Sequence, residues 1–427
     1  MATEPTVLAP SGVISFFSGC GILDLGFERA GFRVWMANEI NGAFADAYEF
    51  ARAGMDAPAP AVGGVVRDGI GSFFAGANRA LLERAMAEAR QRTGSTGFIG
   101  GPPCPDFSIA GKQAGRTGDR GRLTQDYFDL IGMLRPDFFL FENVKGLRST
   151  AKHRAFLDEI LQAVDADGYE VTERLVNAID YGAPQDRARV IVVGFHRAAF
   201  PGGRAKSMAQ GFAWDFRATH RQALACAWPG AEPLERDPVS GETTGAARPC
   251  PAGMPDRMRE LTVQHWFDLN GVSGHANARD VFAVRNGLAR MRRVREGDTS
   301  SKSFKRLHRW RYSPTAAYGN NEVHLHPYLD RRLSAAEAMA IQTLPPEFTL
   351  PPGMTLSAKF KTIGNGVPLK LAEALALTVA AALGGAVARP FGRDPARGRT
   401  PPPPAAVQAP DGGADGPAGG GPVPEAA

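Results

Sequence analysis

The stretch Val13–Phe17 (VISFF) is followed at once by Ser18–Gly21 (SGCG) and then by Leu23–Ala30 (LDLGFERA). The first segment is almost wholly apolar, which is typical of a parallel strand buried on both faces. The second predicts a glycine turn, and the third has helical character. This order lets a backbone approach a nucleotide-like ligand closely, although many such turns are only tight corners between a strand and a helix.

Two further strands with acidic ends follow. Phe32–Glu39 predicts a second strand, and Val62–Val66 predicts a third strand that leads to Asp68. Glu39 comes 18 residues after Gly21, near the position at which dinucleotide-binding folds place a carboxylate on ribose hydroxyls. A solvated glutamate at the end of a strand explains that spacing equally well.

The same alternation continues to residue 195. Strands are predicted at Gly97–Ile99, Phe138–Phe141, Tyr169–Asn177 and Arg189–Phe195, and helices at Ala80–Arg92, Tyr127–Leu134 and His153–Val164. Alternating strands and helices predict an α/β fold with a Rossmann-like, doubly wound, mostly parallel sheet. The polar, glycine-rich segment Gly111–Arg122 predicts a mobile active-site loop.

The alternation stops near residue 196. An irregular segment, residues 197–313, separates residues 1–196 from a helical part at 314–389, in which Leu333–Gln342 and the apolar Pro368–Gly385 predict helices. We expect the last helix to return to the core of the sheet. Residues 390–427 are rich in Pro, Gly and Ala and predict a disordered tail.

Length and composition limit the classes of protein to which this chain can belong. A chain of 427 residues with 44% hydrophobic residues can bury a sizeable core. Because no apolar run approaches the 18 or so residues of a membrane span, and no signal peptide is apparent, we expect no membrane partner and a cytoplasmic protein. The four cysteines have neither disulfide nor CxxC metal spacing, so we expect no metal, and Cys226 and Cys250 to be incidental.

A net charge of +5 permits a nucleic-acid partner without requiring one. The basic residues are concentrated between residues 285 and 311, where only Glu296 and Asp298 oppose them. These basic residues are Arg285, Arg290, Arg292, Arg293, Arg295, Lys302, Lys305, Arg306, Arg309 and Arg311. A solvated basic face is the alternative explanation of this cluster.

The segment Gly100–Gly111 (GGPPCPDFSIAG) holds Cys104 between prolines just after a predicted strand. Proline fixes the backbone φ angle, so this cysteine is held in a stiff loop. An inert buried thiol and an aimed nucleophile are both compatible with that loop. Glu142 follows another predicted strand. The third predicted strand begins at Arg189, and Gln185 and Arg187 come just before it. Ligands bind outside the carboxyl ends of parallel strands, so these side chains can converge.

The chain resembles the DNA (cytosine-5)-methyltransferases from about Ile14 to Leu383. The resemblance rests on an ordered set of motifs: FFSGCGILDLGF, NEI, GGPPCPDFSIAG, FENVKGL, NAIDYGAPQDRARVIVVGF, RRLSAAEAMAIQTLP and GNGVPLKLAEALA. It implies methyl transfer from S-adenosylmethionine to carbon 5 of cytosine in a specific duplex DNA sequence. The base would be flipped out of the duplex so that carbon 6 becomes accessible.

The resemblance also implies residue roles. The Cys104 thiolate would add to carbon 6, Glu142 would hold and protonate N3, and Arg189, with Arg187 beside it, would hold the base. Residues matching the cofactor motifs are Phe17, Gly19, Gly21, Glu39 (ribose hydroxyls), Asp68 (adenine amino group), Pro103 and Asn365. Two departures from the family pattern stand at Pro105, where relatives usually carry Gln, and at Ile22, where they often carry Gly.

In this comparison residues 197–313 are the expected target-recognition domain. The residues expected to contact DNA are Gln185, Arg292, Arg293, Lys302, Lys305 and Arg306. His265, Trp266, His275 and Asn277 could reach base edges or could be packing and turn residues. A cognate restriction endonuclease and a monomeric state are further expectations. The alternatives are a tRNA cytosine-5 methyltransferase of the same fold, which usually has a more compact insertion, and a catalytically silent DNA-binding relative.

Overall fold

Seven strands of the chain form one sheet in the order β3-β2-β1-β4-β5-β8-β6. The computed structural model describes residues 11–103, 119–214, 227–245, 248–284, 287–301, 303–316, 318 and 323–384. The strands of this sheet are β1 (Gly12–Phe16), β2 (Arg33–Asn38), β3 (Val65–Val66), β4 (Thr96–Gly100), β5 (Phe138–Val144), β6 (Tyr169–Asn177) and β8 (Ala188–His196). The α/β class and the mostly parallel sheet are confirmed.

Neighbouring strands run parallel from β3 to β5. β8 runs antiparallel to both of its neighbours, β5 and β6. The start of β8 therefore lies at the same edge of the sheet as the carboxyl ends of the parallel strands. Val144 at the end of β5 pairs with Arg189 near the start of β8, which places the predicted Glu142 and Arg189 at one edge.

Helices cover both faces of the sheet. The helices described up to residue 210 are α1 (Ile22–Arg29), α2 (Gly42–Gly54), α3 (Gly76–Thr93), α4 (Asp119–Leu134), α5 (Gly146–Ser149), α6 (Ala151–Ala166) and α7 (Arg204–Gln210). α1 and α7 contribute to the apolar core on one face. α3, α4 and α6 contribute to the core on the other face. Because both faces bury apolar side chains, the inner strands β1, β4, β5 and β8 consist largely of buried residues, whereas the edge strand β6 is mostly half-buried.

The segment after α7 contains short elements. They are α8 (Asp256–Arg259), α9 (Val263–Leu269), α10 (Leu288–Arg293) and four two-residue strands: β7 (Gln185–Asp186) with β10 (Ser313–Pro314), and β9 (Lys305–Arg306) with β11 (His324–Leu325). The pairing of β7 with β10 joins the end of this segment to the chain just before β8. The chain thus leaves the sheet after β8 and returns beside it.

Three helices complete the described chain: α11 (Ala335–Ile341), α12 (Leu356–Asn365) and α13 (Leu369–Leu383). α13 lies against α1, and a Cβ atom built on Gly26 would come within 2.5 Å of the Cβ atom of Ala372. Only a glycine permits so close an approach of the two helices. The expectation that the last helix returns to the core is confirmed.

The stretch Leu356–Leu383 is long and apolar enough, by composition, to cross a membrane, and 61% of its most apolar part is buried inside the protein. In the fold it is two helices, α12 and α13, interrupted at residues 366–368. A core helix passes the same compositional test, and the contacts of α13 with α1 are those of a core helix.

Several predicted boundaries are wrong: α3 begins at Gly76 and not at Ala80, and β5 continues beyond Phe141 to Val144. The helix predicted at Tyr127–Leu134 already begins at Asp119, so residues 119–122 belong to α4 and not to a loop. The predicted strand Val62–Val66 shrinks to Val65–Val66, because Gly63 and Gly64 have φ angles of 71° and 62°, which a strand cannot contain. The rest of the predicted loop, 111–118, and the tail predicted at 390–427 lie outside the described residues.

Candidate active site

The loop between β1 and α1 has an unusual backbone. Phe17, Gly19 and Gly21 have φ angles of 55°, 57° and 84°. For glycine this left-handed conformation costs little, whereas for phenylalanine it is uncommon and costs about 1–2 kcal/mol. The loop therefore holds three backbone units in an orientation that ordinary residues avoid, at the carboxyl end of the central strand.

The floor of this loop is a buried polar cluster. A Cβ atom on Gly21 would lie 2.7 Å from the ring of Tyr48, so the loop rests directly on that ring. The Tyr48 hydroxyl donates to Asp24 at 2.9 Å, and Ser15 on β1 donates to the other Asp24 oxygen at 2.6 Å. Burial raises the pKa of the Asp24 carboxyl, while nearby Arg52 opposes that shift.

Glu39 stands just beyond β2, next to the loop. Its Oε2 atom accepts from the backbone N–H of Gly19 at 2.9 Å and its Oε1 atom from that of Asn41 at 2.8 Å. Burial raises the pKa of the Glu39 carboxyl, and the two backbone donors oppose the rise. The carboxylate is thus fixed by the same loop that it borders.

Asp68 follows β3 and is exposed. Its carboxylate accepts from the Asn78 side chain at 2.7 Å, and its backbone carbonyl accepts from Asn38 at 2.7 Å. Phe17, Glu39 and Asp68 therefore stand at the carboxyl ends of the three adjacent strands β1, β2 and β3. This edge combines an aromatic ring, two carboxylates and the left-handed loop.

Asn365 ends α12 and is exposed. The segment around it packs on the start of α1, since a Cβ atom on Gly366 would lie 2.4 Å from the side chain of Ile22. Ile22 itself is buried and begins α1, which explains how an apolar side chain is accommodated after Gly21. Pro103 is exposed beyond β4.

Glu142 lies inside β5 and not beyond its end. Its side chain and that of Arg189 are each 10% exposed, and Nε of Arg189 is 2.8 Å from Oε1 of Glu142. A Cβ atom on Gly101 would lie 2.7 Å from Oε2 of Glu142. Glycine at this position therefore leaves the second carboxylate oxygen beside the backbone that leads to Cys104.

Arg187 points into the protein. It is 1% exposed and donates to the carbonyl oxygens of Ala316 at 3.2 Å and Gly364 at 2.9 Å. Burial, with the neighbouring Arg189 as the next cause, lowers the pKa of the Arg187 guanidinium well below its usual range. Arg187 and Arg189, which the motif sets side by side, thus have different surroundings.

Gln185 is also fully buried. Its Oε1 atom accepts from the backbone N–H of Ala316 at 2.9 Å, and its Nε2 atom donates to Gln342 at 3.2 Å. These bonds are internal to the protein and favour a structural role. A contact between Gln185 and DNA stays a prediction.

The basic cluster divides into buried and exposed members. Arg306 is fully buried, with bonds to Asp330 and to the carbonyls of residues 291, 294, 326 and 329, and Arg309 is held by Glu296. Arg292 is half-buried, 3.5 Å from Asp330. Arg293 is exposed and Lys305 is half-buried. Much of the cluster therefore holds the insertion together.

The other candidate base-contacting residues have internal partners too. The Trp266 ring nitrogen donates to the carbonyl of Glu260, and the Asn277 amide donates to Asp280 and to the carbonyl of Leu350. A ring nitrogen of His275 lies 3.2 Å from the carbonyl oxygen of Phe348. Burial lowers the pKa of His265. These positions favour the packing and turn interpretation.

Cys104, Lys302, Pro105 and Cys226 lie outside the described residues. Among the residues that are described, no group of three or more His, Cys, Asp or Glu side chains could hold a metal ion. The sequence analysis did not identify Gln342, whose only signal is its place in the motif RRLSAAEAMAIQTLP. It also did not identify Asp330, because the three arginines that pair with it, Arg236, Arg292 and Arg306, lie 24 to 94 residues earlier in the chain.

The chain is similar in sequence to one protein family and to several of its members. The family model of C-5 cytosine-specific DNA methylases matches residues 12–58 and 87–380. The chain is 49% identical over 370 residues to the type II methyltransferase M.NmeDI of Neisseria meningitidis serogroup C, covering 86% of this chain and 83% of that protein. It is 29% identical to the type II methyltransferase M.NgoPII of Neisseria gonorrhoeae, covering 88% and 97%.

A solved structure supports the fold alone. A protein from E. coli, described as a prophage-encoded DNA modification methyltransferase, superposes with a TM-score of 0.57 at 22% identity, covering 88% of this chain and 99% of that one. The chain therefore shares its overall fold with that protein.

Proposed function

The chain belongs to the C-5 cytosine-specific DNA methylase family, and from this premise we propose how its residues methylate carbon 5 of a cytosine flipped out of duplex DNA. The family match makes it a DNA (cytosine-5)-methyltransferase that uses S-adenosylmethionine. The covalent route, the flipped base and the individual residue roles are the proposal. The observation that carries it is the ion pair of Glu142 and Arg189 beside the backbone that leads to Cys104.

The edge formed by β1, β2 and β3 fits S-adenosylmethionine. Two carboxylates can accept from ribose hydroxyls and an adenine amino group. The left-handed loop leaves the backbone of Gly19 open to a ligand, since among the described residues a Cβ atom there would meet only the Thr362 hydroxyl, at 3.7 Å. The methyl donor supplies an electrophilic methyl group next to a positive sulfur. Glu39 would hold the ribose and Asp68 the adenine, and the other residues that would border the cofactor are Phe17, Gly19, Gly21, Pro103 and Asn365.

Glu142 would act on the ring nitrogen N3. One of its oxygens is engaged by Arg189, so Oε2, beside Gly101, is the oxygen left to carry and donate a proton. Protonation at N3 draws electron density out of carbon 6, where the Cys104 thiolate then adds. Carbon 5 becomes nucleophilic and takes the methyl group, which leaves S-adenosylhomocysteine. Loss of the carbon-5 proton to a solvent base then breaks the bond between carbon 6 and sulfur, which frees the Cys104 thiolate, and the N3 proton returns to Glu142.

Arg189 would hold the base and neutralise the charge near N3. Its guanidinium is fixed by Glu142 and by a bond of 2.8 Å to the carbonyl of Ala188, so it is placed before a base arrives. Arg187, directed to the carbonyls of Ala316 and Gly364, would support this arrangement from inside the protein and would not touch the base.

We further propose a division of the chain. Residues 1–196 and 314–389 would form the catalytic domain, 197–313 the target-recognition domain, and 390–427 a disordered tail. The exposed Arg293 and the half-buried Arg292 and Lys305 are the described members of the cluster that would contact phosphates, with Lys302. We also propose that the protein is a cytoplasmic, nucleoid-associated monomer, and that a cognate restriction endonuclease shares its target site in DNA.

One experiment tests the reaction and its substrate. The protein is incubated with labelled S-adenosylmethionine and either mixed-sequence duplex DNA or tRNA, and the product is sequenced after bisulfite conversion. We expect label in duplex DNA, with protected cytosines at one sequence. Label in tRNA alone would refute the DNA substrate, and an absence of label in both would favour a silent DNA-binding protein.

A further inference from the structure

The side chains of Gln185 and Gln342 are buried and hydrogen-bonded to each other, and together they link segments of the polypeptide that are far apart in sequence. Gln342, the residue that follows Ile341 at the end of α11, lies fully buried between Gln185 and the end of α12. Its Oε1 atom accepts from Nε2 of Gln185 at 3.2 Å. Its Nε2 atom donates to the carbonyl of Ile363 at 2.5 Å and lies 3.3 Å from that of Gly366.

The orientation of both carboxamides is fixed by their partners. Oε1 of Gln185 must face the backbone N–H of Ala316 and the Arg187 guanidinium, because both are donors. The Gln185 amino group then faces Gln342, whose oxygen must accept, so the Gln342 amino group must face the two carbonyls. A carboxylate at residue 342 would place an acceptor against those carbonyls, and only a carboxamide meets all of these requirements.

The main chain at this point makes the same connection. The carbonyl of Gln342 accepts from the backbone N–H of Leu369 at 2.9 Å, and the Thr343 hydroxyl accepts from that of Lys370 at 3.0 Å. Thr343 has a φ angle of 59°, which is strained for a β-branched residue. Such strain persists only where the surroundings hold it in place.

The two ends of this hydrogen-bonded pair reach the two sites. At one end, Ile363 shares a core with Cys20 and Ile22, and Gly366 lies against Ile22, so residues 363–366 border the proposed cofactor loop. At the other end, Gln185 holds Ala316, where the chain leaves the insertion proposed to bind DNA. A shift at either end would displace these buried, hydrogen-bonded amides, so the two carboxamides form a direct physical connection between the two ends.

We propose that Gln342 is a positioning residue that couples occupancy of the cofactor pocket to occupancy of the DNA-binding insertion. The inference rests on the proposed function, because it takes the ligands of the two sites from it. Linkage then requires that duplex DNA change the affinity for the cofactor by the same factor by which the cofactor changes the affinity for DNA. Removal of the Gln342 carboxamide shrinks that factor.

The test compares Gln342→Leu with Asn270→Leu. Asn270 is a matched control, since its buried amide also bonds to the turn after α11, at the carbonyl of Leu344, and none of its described bonds reaches Gln185 or residues 363–366. Binding of S-adenosylhomocysteine is measured by calorimetry with and without a duplex that the wild-type enzyme methylates. Hydrogen exchange of residues 363–366 is followed in the same samples.

For Gln342→Leu we expect the coupling factor to fall about tenfold, with faster exchange at residues 363–366, because two carbonyls and one amino group lose their partners. Asn270→Leu should keep the wild-type factor. An unchanged factor in Gln342→Leu, or an equal loss in both variants, would overturn the proposal. Wild-type methyl transfer is measured first, so that a failure of the proposed function shows itself there, while the exchange measurement needs no turnover.

Discussion

Arg189 and Glu142 meet across two antiparallel strands, with Nε of the arginine 2.8 Å from Oε1 of the carboxylate. In the register of the sheet, Arg189 lies opposite Val144, two positions beyond Glu142. Residues two apart on a strand share a face, so the arginine reaches the carboxylate diagonally. The pair is therefore set by the sheet itself, and its orientation does not depend on a loop.

Glu142→Gln should remove the proton donor and keep the shape of the site. We expect methyl transfer to fall by about 10²–10⁴-fold, the usual contribution of a general acid, with little change in cofactor affinity. Single-turnover rates with labelled cofactor measure the change. Glu170→Gln is the control, because Glu170 lies on β6 away from this edge and pairs with Arg197. Similar losses in both variants would contradict the assigned role.

Cys104→Ala should abolish methyl transfer and leave binding of S-adenosylhomocysteine within about twofold, because the nucleophile contributes only to the reaction. Transfer is assayed with labelled cofactor, and binding by calorimetry. Cys250→Ala is the matched control, since Cys250 is a free cysteine, and it should keep wild-type rates. Near-normal turnover by Cys104→Ala would refute the covalent route.

Arg187 and Arg189 should respond differently to the same change. Arg187→Met should lower the free energy of unfolding by about 3 kcal/mol, because buried carbonyls at residues 316 and 364 lose their donor. Arg189→Met should lower turnover with a smaller effect on stability. Urea unfolding and transfer rates are measured on both variants. Equal stability losses with equal activity losses would contradict the division of roles.

The sequence predicted the sheet well because apolar runs and glycine turns are local signals. β6 has the predicted bounds, and β1, β4 and β8 differ from theirs by one or two residues. The difference between Arg187 and Arg189 was not predictable, since the two side chains are two residues apart and the carbonyl groups that hold Arg187, those of Ala316 and Gly364, are more than 120 residues away. The burial of Arg306 escaped for the same reason, because its carboxylate partner, Asp330, lies beyond the basic cluster.

Glu39 should make cofactor binding sensitive to acid. Its raised folded-state pKa means that, as pH falls, the accepting carboxylate is lost at a higher pH than for an exposed glutamate. The raised pKa also means that the contribution of Glu39 to the free energy of unfolding decreases as the pH rises from the ordinary pKa of glutamate through the raised pKa. We expect KM for the cofactor to rise on acidification through that interval. In Glu39→Gln, KM should be higher and should not change across it.

Glu49→Gln is the control for this pH profile, since Glu49 is exposed on α2 and pairs with Arg67. Its KM should follow the wild-type profile. A wild-type KM that does not change across the interval, or a Glu39→Gln variant that keeps the wild-type pH dependence, would contradict the role of Glu39 at the ribose.

The basic cluster should separate into a DNA-binding part and a structural part. Arg293→Ala removes an exposed cation, so it should weaken binding to all duplex sequences and lower the slope of log K against log salt by about one. Arg306→Met removes the donor of five buried or half-buried bonds within the insertion and should lower the melting temperature instead. Fluorescence anisotropy at several salt concentrations and thermal unfolding distinguish the two effects. If Arg293→Ala left the slope unchanged, the exposed face of α10 would not contact phosphates, and the cluster would serve only to hold the insertion together.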